Sequence, residues 1–259
     1  MTAPFAEIIH DDCILEIKMQ SNEKNTFNFE AFAGFEQLLL KHAKSEKIKA
    51  LLFTSAQTQF FSNGIEPSLM YGKTEAEVRE AVTLILRAAG VYFHFPVPTI
   101  ALLNGHCMAA GAVFALFSDY RYMVDKGARI GFSEAIVGLN FPSFPTMVLK
   151  DLVGVSASRD LLYTGKQLKG PDAKEIGLVD ELFSAESLFS EGMKLAKTLS
   201  KLTYNSARGM KTALREHYRS TEQHVFASDV ECFTRTILSP DGQEGFLSLI
   251  EKRRPNFST

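Results

Sequence analysis

Two backbone turns and one glutamate are the residues of this chain best suited to chemistry. That chemistry is the holding of negative charge by backbone amides beside a general base. The first turn lies in residues 99–113, Thr-Ile-Ala-Leu-Leu-Asn-Gly-His-Cys-Met-Ala-Ala-Gly-Ala-Val. The apolar run Ile100 to Leu103 fits a strand buried on both faces, Asn104-Gly105 is a turn dipeptide, and small residues then open a helix near Ala109. Uncrowded backbone at a helix start offers free N–H groups to a developing negative charge. The second turn is Phe61-Ser62-Asn63-Gly64-Ile65-Glu66. Two such donors converging on one oxygen make an oxyanion hole. The glutamate is Glu134, set among Ile130, Gly131, Phe132, Ala135, Val137 and Leu139. Such neighbours desolvate a carboxylate, raise its pKa and make it a better base. An exposed glutamate favoured by a helix dipole is an equal reading of the same residues.

Other chemistries find less support. Gly105 and Gly111 lead to no Gly-Lys-Ser/Thr, and no Gly-x-Gly-x-x-Gly follows the early strands, so phosphate-loop and dinucleotide folds lose their signatures. Gly131-Phe132-Ser133-Glu134-Ala135 lacks the second glycine of a nucleophile elbow. Cys107, beside a buried strand, reads as a small core residue. Cys13, Cys107 and Cys232 lie far apart, against a disulfide framework or a zinc site.

Several elements must position these residues. Leu15, Ile17 and Met19 alternate with Glu16 and Lys18 as in a half-buried strand, residues 29–44 look helical behind an Asn28 cap, and residues 51–53 form a short strand. Thr74-Glu75-Ala76-Glu77 has capping-box spacing. Behind it Val78, Ala81, Val82, Ile85, Leu86 and Ala89 keep helical period, a stripe suited to core or to the wall of a pocket. A strand over 120–124, a helix between Pro171 and Gly177, and a strand over 178–183 follow. Beyond about residue 185 the pattern is helical, with Ser184, Thr203 and Ser239-Pro240 as boundaries.

Composition sets outer bounds. Apolar residues make up 46% and charged residues 22%, as in ordinary globular proteins, and a net charge of −2 argues against general nucleic-acid binding. The N-terminus shows no signal-peptide core, no apolar stretch reaches membrane-spanning length, and Phe257-Ser258-Thr259 is not a peroxisomal address, so the cytoplasm is the default expectation.

The pieces Phe60-Phe61-Ser62-Asn63-Gly64-Ile65-Glu66, residues 104–111, Asp119-Tyr120-Arg121, residues 131–138, Tyr163-Thr164-Gly165-Lys166, residues 173–179, Glu244-Gly245-Phe246 and Glu251-Lys252-Arg253-Arg254 follow one another in order. In that order and spacing the chain resembles the crotonase (enoyl-CoA hydratase/isomerase) superfamily over nearly its whole length. The resemblance implies an α/β fold, a spiral of β-β-α repeats with a C-terminal helical trimerisation region. Residues 1–190 would be the core with the active site, and residues 191–259 would serve oligomerisation as a homotrimer or dimer of trimers. It implies an acyl-CoA thioester as partner, neither nucleic acid nor membrane, and no cofactor beyond the CoA of the substrate. The family's oxyanion donors map onto the amides of Ile65 and Ala110, the latter standing where many relatives carry glycine. Ser62, Asn63 and Gly64 map onto the substrate-binding turn and are expected to contact the acyl-CoA. Lys24, Lys252 and Arg253 are candidates for the CoA phosphates, although each also reads as an ordinary solvated cation.

Hydratases of the family use two glutamates. The second maps onto Glu134 and the first onto Val113, which transfers no proton. A chain with only Glu134 looks like the Δ3,Δ2-enoyl-CoA isomerases, in which one glutamate moves a proton between C2 and C4, and residues 133–142 look especially like those of plants. Oxidation of unsaturated fatty acids is the implied setting. The alternatives are a hydratase or other CoA-thioester enzyme that recruits another carboxylate, with Asp119 and Glu66 as suspects, or a non-catalytic acyl-CoA-binding protein.

Overall fold

The structure, a computed structural model, describes residues 3–257. Phe5–His10 (β1) and Ile14–Met19 (β2) pair antiparallel, and Phe29–Ala43 (α1) follows, its first turn capped by Asn28, whose side chain accepts from Ala31 N at 2.8 Å. The chain then repeats one unit, a strand in a large sheet, a short strand in a small sheet, and a helix. The first repeat is Ala50–Ser55 (β3), Phe60–Ser62 (β4) and Glu75–Phe93 (α2), and the second is Thr99–Leu103 (β5), His106–Met108 (β6) and Ala110–Phe117 (α3). The third is Tyr120–Val124 (β7), Arg129–Gly131 (β8) and Ser143–Thr164 (α4), with a 3-10 turn at Glu134–Val137 before the helix. Leu168–Lys169 (β9), Gly170–Glu175 (α5) and Glu181–Phe183 (β10) complete the sheets, whose orders are β1-β2-β3-β5-β7-β10 and β4-β6-β8-β9. Leu188–Leu199 (α6), Tyr204–Leu238 (α7) and Pro240–Glu251 (α8) finish the chain. This is the expected spiral of β-β-α turns with a helical C-terminal region.

The central strands pair in parallel and are covered on both faces, which is why β3 and β5 read as unbroken apolar runs. The core between sheet and helices is built on phenylalanine. Phe27 lies 4.7 Å from Phe32 and 5.0 Å from Phe114 between ring centroids, and Phe35 lies 5.0 Å from Phe53 and 5.1 Å from Phe114. Each such ring, fully buried, contributes about 1.5–3 kcal/mol. Thr74 caps α2 through the capping box its spacing announces.

Several sequence expectations need correction. β2 is not half-buried: Glu16 is 1% exposed, its carboxylate accepting from Thr54 Oγ1 at 2.7 Å and meeting His10 at 2.7 Å and Lys18 at 3.1 Å. Only Glu181–Phe183 of the expected strand pairs. Leu178 and Val179 instead turn back to donate to the Ala173 carbonyl. Helix α6 starts after Ser187, not Ser184. The short strands β4, β6 and β8 and the helix α4 have no counterpart in the sequence reading.

Helix α7 is held by charge. Lys211 donates to Asp119 at 2.7 Å and to the Val97 carbonyl at 2.9 Å, and Arg215 donates to Asp119 at 2.6 Å. One and two turns on, the Tyr218 hydroxyl donates to Asp151 at 2.7 Å, and Glu222 pairs with His94 at 2.6 Å. Burial works to raise the Asp119 carboxyl, but Lys211 and Arg215 outweigh it and hold it below the usual range.

Candidate active site

Helix α3 opens without a side-chain cap, so its first N–H groups are left for something else. The residue before it, Ala109, takes φ +48°, a left-handed conformation unusual for a side chain bearing a Cβ. Its own N–H donates to the Gly131 carbonyl at 3.1 Å, which fixes the turn to β8. The other turn is stapled from beneath. Ser62 is fully buried, its hydroxyl donating to the Asn25 carbonyl at 2.7 Å and accepting from Gly64 N at 3.2 Å. Phe27 N donates to the Gly64 carbonyl and Glu66 N to the Phe27 carbonyl, which leaves the amide between them, Ile65 N, unspoken for. Among the described residues neither Ile65 N nor Ala110 N has a protein acceptor.

The two turns touch. A methyl built on Gly64, whose φ is +85°, would lie 2.8 Å from the Ala109 Cβ and 3.4 Å from the Ala110 nitrogen. One built on Gly111 would lie 2.7 Å from the Ser62 Cβ. Glycine at both positions lets the two backbones approach, and both donors come to the wall of one cavity.

Glu134 begins the 3-10 turn after β8. Its Oε2 is sealed from solvent with no hydrogen-bond partner among the described residues, and burial pushes the carboxyl up to about 7. Helix α8 seats this turn. A Cβ on Gly245 would fall 2.0 Å from the Val137 carbonyl, so only glycine lets the helix backbone lie against it. The Glu-Gly-Phe motif near the C-terminus thereby acquires its reason.

Two cavities meet at Glu134. The inner one holds about 660 Å³ of empty space, mouth included, and is walled by Ile85, Leu86 and Ala89 of α2, Val113 and Phe117 of α3, and Phe226 of α7 among others. The stripe on α2 therefore serves as core and as pocket wall at once. The outer groove is larger and is lined by Lys24, Asn63, Ser133, Ile136, Leu249 and Lys252 among others. Ile65, Glu134 and Phe233 border both.

The structure thus brings together Glu134, Ile65, Ala110, Asn63, Lys24 and Lys252. Ser62 and Gly64, expected to contact the substrate, line neither cavity: Ser62 is fully buried, and both stand behind the hole and shape it. Arg253 does not join the groove: its guanidinium pairs with Glu244 and Glu251 and donates to the Arg254 carbonyl at 3.1 Å. Lys252, at the helix end with φ +56°, is turned to the groove instead. Asp119 is committed to α7, and Glu66 accepts from the Thr26 hydroxyl. Cys107 is buried and its thiol is pushed well up by desolvation, the state of an unreactive core residue.

The sequence reading missed the contribution of α7, whose Glu222, Phe226, Asp229 and Phe233 line the inner cavity. Asp229, 4% exposed, accepts from Ser143 N at 2.8 Å and Phe144 N at 3.0 Å, and so caps α4, whose own N-cap residue Pro142 offers no side-chain acceptor. Asp229→Ala is expected to cost about 2 kcal/mol in urea denaturation, because it strips two buried amides of their acceptor.

Comparison with known proteins agrees with this geometry. The enoyl-CoA hydratase/isomerase family profile matches residues 10–259. The chain is 33% identical over 171 residues to the peroxisomal enoyl-CoA delta isomerase 2 of Arabidopsis thaliana, covering 62% of this chain and 71% of that one. It is 33% identical over 174 residues to enoyl-CoA delta isomerase 3 of the same plant, covering 64% and 73%. The fold superimposes on human mitochondrial delta3-delta2-enoyl-CoA isomerase with a TM-score of 0.92 at 20% identity, over 96% of this chain and 97% of that one. A spiral of β-β-α repeats, paired free amides beside a glutamate whose Oε2 is sealed from solvent, and a profile match over nearly every residue make this chain a member of the enoyl-CoA hydratase/isomerase family, whose enzymes act on enoyl-CoA thioesters.

Proposed function

We propose that the protein is a Δ3,Δ2-enoyl-CoA isomerase, moving the double bond of a 3-enoyl-CoA into conjugation with its thioester. One observation carries this reading. Among the described residues Glu134 is the only titratable side chain that borders both cavities, and Val113 stands on the cavity wall where a hydratase would carry a second glutamate. The other carboxylates lining these spaces are engaged: Glu222 with His94, Asp229 with the start of α4, and Glu66 with Thr26.

The steps follow from the geometry. The thioester oxygen docks between the N–H groups of Ile65 and Ala110, which makes the C2 proton acidic. The Glu134 carboxylate takes that proton, and the electron pair spreads over a dienolate whose oxygen the two amides hold. The resulting carboxylic acid returns the proton at C4, the carbonyl reforms, and the double bond lies between C2 and C3. The rearrangement is redox-neutral and consumes no water, so the substrate's CoA is the only cofactor chemistry this reading calls for. Each oxyanion donor contributes on the order of 3 kcal/mol and the base roughly 10²–10⁴-fold. The acyl chain occupies the inner cavity and the CoA the groove of Lys24 and Lys252. A trimeric assembly in the cytoplasm, serving oxidation of unsaturated fatty acids, completes the proposal.

The direct test is to incubate the purified protein with a 3-enoyl-CoA, following conjugation by absorbance and products by mass. A 2-enoyl-CoA of unchanged mass supports the isomerase. A 3-hydroxyacyl product would replace it with a hydratase, and an inert mixture across chain lengths with a binding protein. Because the base must be ionised and its pKa is raised to about 7, kcat/KM is expected to climb with pH and reach half its plateau near that value. Lys252→Glu should raise KM several-fold at unchanged kcat, less so in high salt, whereas Arg253→Ala should leave KM where it was.

A further inference from the structure

The inner cavity has a second polar boundary, on α7. Glu222 of α7 reaches across to His94, the residue that ends α2, and the carboxylate and imidazole meet at 2.6 Å. Both side chains are mostly buried, 17% and 23% exposed. Beyond them lies a separate surface cleft between α2 and α7, lined by Gly90, Val91, His94 and Gln223 among others. Glu222 and Phe226 line the cleft on one side and the inner cavity on the other. The two spaces are therefore neighbours that share the side chains of Glu222 and Phe226 as walls. Gly90 makes room for the divider: a Cβ there would lie 2.2 Å from Glu222 Oε1, against the flexible end of the side chain.

A hydrogen-bonded carboxylate and imidazole are an odd plug for an apolar pocket. Aliphatic side chains would seal it without desolvating a carboxylate. We propose that Glu222 and His94 form a latch at the distal end of the acyl pocket, and that the cleft behind it receives the terminal carbons of acyl chains too long for the inner cavity. The inference rests on the reading of that cavity as the acyl site. The occupant it commits to is the far end of the substrate's own aliphatic chain, because Glu222 and Phe226 wall both the cleft and that cavity. With the latch shut, a lengthening chain gains affinity only until its end meets the pair. A longer chain must then break the pair to pass.

The test uses saturated acyl-CoAs, so that it reads binding independently of turnover. Dissociation constants for hexanoyl-CoA and dodecanoyl-CoA are measured by calorimetry, below micelle-forming concentrations, for the wild type and two variants. Glu222→Ala removes the latch, and Gly90→Ala evicts the Glu222 carboxylate while leaving its charge in the chain. In both, the preference for dodecanoyl over hexanoyl is expected to rise by roughly tenfold over the wild type, the scale of one added methylene or more in an apolar pocket. The same preference in all three proteins overturns the latch. A protein that shows the shift yet isomerises no 3-enoyl-CoA would retain the latch and lose the isomerase. One that isomerises hexenoyl-CoA with no shift would retain the isomerase and lose the latch.

Discussion

Glu134→Gln is expected to lower isomerisation by roughly 10²–10⁴-fold while leaving acyl-CoA affinity nearly unchanged. The amide fills the same space but accepts no proton, and the oxyanion donors are backbone groups that the substitution does not touch. The same variant should be the more stable protein at alkaline pH. The Glu134 carboxyl is raised by burial from 4.5 to about 7, so between those values the folded state binds more protons than the unfolded one. Stability therefore falls as pH rises through that window. Above it, keeping the charge in an apolar wall costs the fold on the order of 3 kcal/mol. Thermal melts at pH 8 should place Glu134→Gln above the wild type, and melts at pH 5 should remove most of the difference. Undiminished turnover would take Glu134 out of the mechanism, and a pH-independent difference in melting would take away its burial.

Gly64→Ala tests the other half of the site. At φ +85° an alanine is strained, and its methyl would meet the Ala109 Cβ at 2.8 Å. Ala109 has little freedom to yield, since it already sits at φ +48° and is tied to Gly131. The contact is relieved by moving one turn or the other, and either movement swings an N–H off the oxyanion. The loss of one donor predicts a fall of about 10²–10³ in kcat, with KM far less affected and the far-UV dichroism that of the wild type. A kcat near normal would mean that the hole is made elsewhere.

The parts of this site that were legible in the sequence are those that a few consecutive residues determine. The buried strand over 99–103, the turn at Asn104-Gly105, the uncapped start of α3 and the apolar surroundings of Glu134 are each written within about ten residues. The short strands β4, β6 and β8 were illegible because each is three residues long, too short for any alternation to register. They exist because they pair with one another. Lys252 and Arg253 are neighbours with different fates, because α8 ends in a left-handed residue and Glu244 and Glu251 hold Arg253, details no charge pattern reveals. The pocket wall on α7 was hidden for a different reason. Its inward face carries Lys211, Arg215, Tyr218, Glu222 and Asp229, so the buried side of the helix resembles a solvated one.

That inward face also fixes where α7 can lie. Greasy surfaces tolerate sliding, since one methyl serves nearly as well as the next. Polar and charged groups at intervals of four, three, four and seven residues, each answered by a partner on another element, behave like the teeth of a key. A slip of one residue turns the helix by roughly 100° and strands every tooth away from its partner, at a cost of several kcal/mol for each buried ion. The helix therefore has one seat and no near-equivalents. Substitutions on its outer surface should be absorbed freely, whereas the insertion or deletion of a single residue between Arg215 and Asp229 would misplace Phe226 and Phe233 together and close the pocket they border.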